Sequence, residues 1–143
     1  MVAGLGTITP ASGFVGPAGA LVIGLTAGVV CYFATQAIKQ KLKIDDSLDV
    51  FPVHGVGGIL GTLLAGVFAS NQLGIFSGQG LDVSIGAQVW VQFIGVISTL
   101  VYTAIVTFII LKVVNLVAPL RVSEDDETEG LDLTQHNESG YNH

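Results

Sequence analysis

Asp49-Val-Phe-Pro-Val-His-Gly-Val-Gly-Gly-Ile-Leu-Gly61 is the stretch on which the reading of this chain turns. It opens an uncharged, apolar run that continues to about Ala69. About 20 such residues in a helix cross the hydrocarbon core of a bilayer. One ionisable side chain, His54, lies inside the run. A titratable group at that depth is costly to insert, and its default meaning is a route for an ion or a proton.

The composition outside this stretch agrees with a membrane protein. Half of the 143 residues are hydrophobic and only 11% are charged, against roughly a quarter in soluble domains. Mean hydropathy is +0.71. The net charge of −6 is local in origin, because seven of the eleven acids lie at or after Glu124. No basic footprint for nucleic acid is present. Cys31 is the single cysteine, which excludes an intrachain disulfide and a cysteine-built metal site, and it reads as a small buried hydrophobe. The first residues lack the positive region of a signal peptide.

The chain divides by its breakers and charges. Residues 1–9 are apolar but too short to span, and are expected to be the end of a helix; 10–17 form a connection rich in Pro and Gly. Spans are expected at about 18–38, 50–69 and 85–111, separated by loops at 39–49 and 70–84, with a polar acidic tail over 112–143. All five basic residues fall in the first loop or after the third span: Lys39, Lys41, Lys43, Lys112 and Arg121. The positive-inside rule puts those segments and the C-terminus in the cytoplasm, and 10–17 and 70–84 outside.

On an ideal helical wheel His54 shares a stripe with Val50, Gly58, Gly61 and Ala65. Two readings of that small-sided stripe stay open: a smooth wall beside a conduction path, or close helix packing through small residues. Loss of hydration disfavours the charged imidazolium, so His54 is expected to be a neutral ring with one donor and one acceptor nitrogen. No intramembrane carboxylate accompanies it. Gln88 and Gln92, four apart, are expected to hydrogen-bond between helices. The glycines of 55–61 fail the dinucleotide-binding spacing at Leu60. Asp45, Asp46 and Asp49 precede the His54 helix, where capping explains them. Asn137-Glu138-Ser139 matches a glycosylation sequon but falls in the tail expected to be cytoplasmic, and the acids of Glu124–Glu129 read as a solvated face.

Taken together, the strings Gly6-Thr-Ile-Thr-Pro-Ala11, Asp45-Asp-Ser-Leu-Asp-Val-Phe-Pro-Val-His-Gly-Val-Gly-Gly58 and Leu120-Arg-Val-Ser-Glu124, followed by Gly130-Leu-Asp132, His136 and Tyr141, resemble the C-terminal portion of the ammonium transporter family of the Amt/Mep type. The resemblance covers essentially the whole chain. It implies an all-α integral membrane fold: three full transmembrane helices plus the end of a preceding one, the last part of an eleven-helix protomer that assembles as a homotrimer. It implies that the first repeat, with the partner of the pore histidine, lies outside this chain. His54 and Val50 then line the pore, Asp46 and Asp49 stand at the cytoplasmic mouth, and Gly130, Asp132, Thr134 and His136 belong to a regulatory tail. Thr134 matches a phosphorylated threonine of plant members, and the microbial members meet a PII-type signalling protein at the cytoplasmic face. Where the family often has His-Gly-Glu, this chain has His136-Asn137-Glu138. The substrate implied is ammonium or ammonia, with no cofactor and no metal, at the cell membrane.

The resemblance agrees with the chemistry, because an ammonium ion is very expensive to move bare into an apolar medium. Removing the proton and passing neutral ammonia along the lumen avoids that cost. Two competing readings are a short membrane subunit that docks on full-length transporters, and a membrane enzyme using His54. The last lacks a second catalytic group, so no enzyme is expected.

Overall fold

A computed structural model describes residues 1–78 and 81–140. Tyr141, one of the residues that carry the resemblance, lies outside the described residues, as do Gln79 and Gly80 of the second loop. The described residues are helical with no strand, and three helices are long and apolar enough to cross a membrane: Pro17–Lys41, Phe51–Phe68 and Ile85–Val117. The chain is an all-α, multi-pass membrane protein.

The first 99 residues form one compact unit. Helix α1 (Val2–Ile8) passes through a short 3-10 turn, Thr9–Ala11, at Pro10. Helix α2 (Pro17–Gln36) begins on Pro17, where the missing N–H would have had no helical partner. Its last turn widens into a π-helix over Ala37–Lys41. The second span also starts as a π-helix, Phe51–Val56, before settling into α3 (Gly57–Phe68). Helix α1 packs on both α2 and α3. Ala11, Ile23 and Ala65 are the buried centre, with Ile8, Val15, Leu64 and Phe68 around them.

Small residues permit this packing. A Cβ on Gly61 would collide with the Thr7 carbonyl group, so α1 and α3 touch backbone to backbone there. One turn earlier a Cβ on Gly57 would stand 2.8 Å from Thr7 Oγ1 and 3.4 Å from Cys31 Sγ, at the junction of all three helices. Cys31 is buried, as expected from its place in an apolar run.

The loop between the second and third spans folds back on the Ser12–Gly16 connection. Gly16 N–H donates to Phe76 O at 3.0 Å and Gly78 N–H to Phe14 O at 3.1 Å. Ser70, fully buried, is the hub: its hydroxyl donates to Val83 O at 2.7 Å, and its carbonyl accepts from the Ser77 hydroxyl. A buried hydroxyl and carbonyl with partners cost far less than unpaired ones. The loop is therefore organised by backbone and serine hydrogen bonds, with the Phe76 ring beside Phe68.

Helix α4 (Ile85–Val117) is apolar on every side and only 6% of its most apolar window is buried. A helix hydrophobic all round belongs in lipid or against further helices. At 33 residues it is roughly 50 Å long, more than the hydrocarbon core, so it must tilt or project beyond it. Its first part packs on α3, where Val89 and Gln92 meet Gly66. The expected interhelical bonding of Gln88 and Gln92 is not seen among the described residues, where their side-chain amides make no hydrogen bond. They instead line a cavity of about 150 Å³ with Pro10, Phe14, Ala65, Ala69 and Leu81.

The second unit, residues 100–143, contains the rest of α4 and two short helices, α5 (Glu124–Glu129) and α6 (Leu131–His136). Ser123 caps α5 by accepting from Asp126 N–H at 3.1 Å. Arg121 grips Glu127 with two bonds of 2.7 and 2.8 Å. Gly130, at φ +106, breaks the two helices apart.

Candidate functional site

His54 sits in the π-helical turn Phe51–Val56, with its backbone carbonyl accepting from Gly57 N–H. The turn follows Pro52, which lies at its start and is buried. Turns of this kind recur where a helix is distorted for function. The imidazole is exposed. On one side it borders α1, where a Cβ on Gly6 would lie 3.9 Å from His54 Nδ1 and 3.8 Å from Val53 O. Val50 and Phe51 are exposed beside it, each by about half their surface. His54 therefore lies on an open apolar strip of the second span, with Gly6 of α1 beside its ring.

The glycine stripe divides in a way the wheel did not show. Gly57, Gly61 and Ala65 form the buried face against α1, whereas His54 lies off that face and Gly58 has nothing within 4 Å. For His54 and Val50 the π turn is the reason: its i→i+5 bonds wind the chain differently from an α-helix, so a wheel of constant period misaligns positions before Gly57 with positions after it; Gly58, inside α3 itself, differs from Gly61 in what stands opposite it. Gly57 and Gly61 serve packing, and only Gly58 faces open space.

Two acids organise the approach to this turn. Asp46 caps the helix, with Oδ1 accepting from Val50 N–H at 2.9 Å and Oδ2 from Phe51 N–H at 2.7 Å. The Phe51 and Val50 amides, and then the charge of Lys39, hold its carboxyl below the usual aspartate range. Asp49 does not cap in this way. It occupies the left-handed region at φ +56, and its Oδ1 lies 2.8 Å from Lys39 Nζ. Asp45 accepts from the Ser47 hydroxyl at 3.2 Å. Lys39, Lys43, Ile44, Asp45, Asp46 and Ser47 line an open hollow of about 390 Å³. Sequence reasoning assigned Lys39 only a topological role. The pairing was invisible because the loop reverses through two residues at positive φ, Lys43 and Asp49, that carry no glycine signal.

The residues of the tail stand together in the second unit. Thr134 donates its hydroxyl to Gly130 O at 3.2 Å. Asp132 lies in the first turn of α6 and its carbonyl accepts from Glu138 N–H at 2.8 Å; His136 closes the helix and is exposed. Asn137 takes the left-handed cap position at φ +53. Asn is one of the few residues besides Gly that adopts it readily. The departure from His-Gly-Glu thus keeps the backbone form that a glycine would supply. Arg121 holds the Glu127 carboxyl below its ordinary range. Among the described residues no group of His, Cys, Asp and Glu could hold a metal.

Residues 1–141 match the Ammonium Transporter Family over nearly the full chain. The chain belongs to this family. It is 48% identical to an ammonium transporter of Aquifex aeolicus over 99% of its own length and 33% of that protein. The ammonium transporter of Archaeoglobus fulgidus is 45% identical over 98% of this chain and 35% of its own, and that of Bacillus subtilis 41% over the same shares. The chain spans about a third of the length of the curated relatives it matches. Membership of the ammonium transporter family makes an exposed histidine in an apolar span the first place to look for function.

Proposed function

We propose that this chain forms the His54-bearing wall of a pore that conducts ammonium, as ammonia or as the ion, across the cell membrane. The observation that carries the reading is the exposed imidazole of His54 on an otherwise apolar span. Its relatives are named as ammonium transporters, not as enzymes. In this reading the imidazole meets an N–H-bearing solute through one ring nitrogen and a neighbour through the other. Val50 lines the route on the cytoplasmic side, with Asp46 and Asp49 at its mouth. A single imidazole cannot complete a proton relay, so the opposite wall, with a second histidine, comes from the first repeat of a longer protein. The assembly is a homotrimer. The C-terminal tail faces the cytoplasm, where Gly130, Asp132, Thr134 and His136 form a regulatory element open to a PII-type protein or to phosphorylation.

The test is uptake of methylammonium in a host deficient in ammonium uptake. In the full-length transporter, His54→Ala should abolish uptake or change the preference for ammonium over other monovalent cations. Uptake and selectivity both at the parent level would remove His54 from the pore. Expressed by itself, the present chain should not rescue growth at low ammonium.

A further inference from the structure

The first turn of the His54 helix is held in an unusual way. Asp49 adopts φ +56, a conformation that costs a non-glycine residue free energy and persists only when its surroundings impose it. Its carbonyl accepts from Val53 N–H at 3.0 Å and its N–H donates to Asp46 O at 3.2 Å. Its side chain pairs with Lys39 at 2.8 Å. Lys39 lies in the π turn that ends the first span, and His54 lies in the π turn that begins the second. The pair links the first irregular turn to the end of the nine-residue loop that leads into the second. Asp46 feels the same lysine charge while it caps Val50 and Phe51.

We propose that Lys39 and Asp49 are positioning residues that fix the π turn Phe51–Val56, and thereby the place of His54 along the conduction route. This rests on the reading of His54 as a pore residue. A π turn carries one more residue per hydrogen-bonded ring than an α turn. Were it to relax into α-helix, the residues before Gly57 would rotate relative to the packed face at Gly57, Gly61 and Ala65. His54 would then turn away from the strip it shares with Val50 and Phe51. Closing that alternative takes a tether at the start of the turn, and Asp49 is the residue immediately before Val50 and Phe51. The two side chains are 40% and 33% exposed, while the paired oxygen, Asp49 Oδ1, is itself buried and makes no hydrogen bond, so the tether is an ion contact at a partly wet site, the kind that salt weakens.

The experiment uses the full-length transporter in lipid vesicles and follows amide hydrogen exchange by mass spectrometry, with the imidazole nitrogen resonances of His54 read in parallel and assigned through His54→Asn. Asp49→Asn keeps a residue suited to the left-handed region and removes only the charge; Lys39→Gln removes the other partner. Each should speed exchange across residues 51–56 by about two- to five-fold, the range for a pair at a wet surface. Each should also move the His54 resonances, and leave residues 61–68 unchanged. Lys39→Arg should restore both readouts. Raising KCl to about 1 M, where the Debye length is near 3 Å, should speed exchange in the parent and not in Lys39→Gln. Unchanged exchange and resonances in both variants would overturn the proposal, even if His54→Ala abolishes uptake. A rise spread evenly over 51–68 would also overturn it, because that is general destabilisation. Local changes with normal uptake in His54→Ala would sink the pore reading and leave the tether with no route to serve.

Discussion

Replacing Gly61 by alanine should separate packing glycines from those that face open space. A Cβ at Gly61 overlaps the Thr7 carbonyl oxygen and stands 2.8 Å from Thr7 C and 3.2 Å from Thr7 Cα. All three are backbone atoms, so no side chain can swing aside. Carbon contacts settle at about 3.5–4.0 Å, so α1 must retreat from α3 along its length. Overpacking of this kind costs about 1–3 kcal/mol, and a membrane helix pair has no hydrophobic effect between its faces to offset it. Gly58→Ala, three residues earlier on the same helix, meets nothing within 4 Å. It should gain up to about 1 kcal/mol from helix propensity. The two variants should therefore differ by roughly 1–4 kcal/mol in reversible unfolding of the purified chain, titrated with SDS in mixed micelles and followed by circular dichroism. A second readout is thiol labelling. Cys31 is 2% exposed at the same three-helix junction, and it should react faster in Gly61→Ala than in Gly58→Ala. Equal stability and equal labelling of the two variants would refute the backbone contact between α1 and α3.

Two further outcomes follow from the polar segments. The Asp46 cap is lowered from the ordinary aspartate value in the folded chain. Its contribution is thus fully present above that ordinary value and is lost as pH falls through the lower, folded value. Amide protection at Val50 and Phe51 should hold on acidification to the usual aspartate range and decline only below it, while Asp46→Asn should show no such step; a decline beginning near neutral pH would contradict the cap. In the tail, Asn137→Ala should loosen the end of α6 by roughly 1 kcal/mol, the cost of the left-handed region for a residue with a Cβ, whereas Asn137→Gly should not. Exchange of the Asn137 and Glu138 amides, which donate to Leu133 O at 3.1 Å and Asp132 O at 2.8 Å, reads the difference.

Several features were legible in the chain because they depend on local chemistry. Long uncharged runs dictate spanning helices wherever the rest of the chain lies, since a backbone in hydrocarbon must satisfy its own hydrogen bonds. Pro17 at a helix start and Asp46 ahead of Val50 are short-range signals of the same kind. The family strings around His54 and along the tail were equally readable. The interhelical bonds expected of Gln88 and Gln92 are not formed among the described residues, because an amide's position on a helix does not say whether the facing helix offers a partner or a gap.

The sequence by itself determined that this is a multi-pass helical membrane protein of the ammonium transporter family with one histidine in an apolar span. Apolar length and residue order suffice for that, since each span answers to the bilayer before it answers to its neighbours. Only the tertiary structure decided which glycines pack, where His54 points and what Lys39 holds. The last two depend on two π turns and two left-handed residues in the loop between them. Such irregularities arise from contacts between elements, and a helical wheel of constant period carries no record of them.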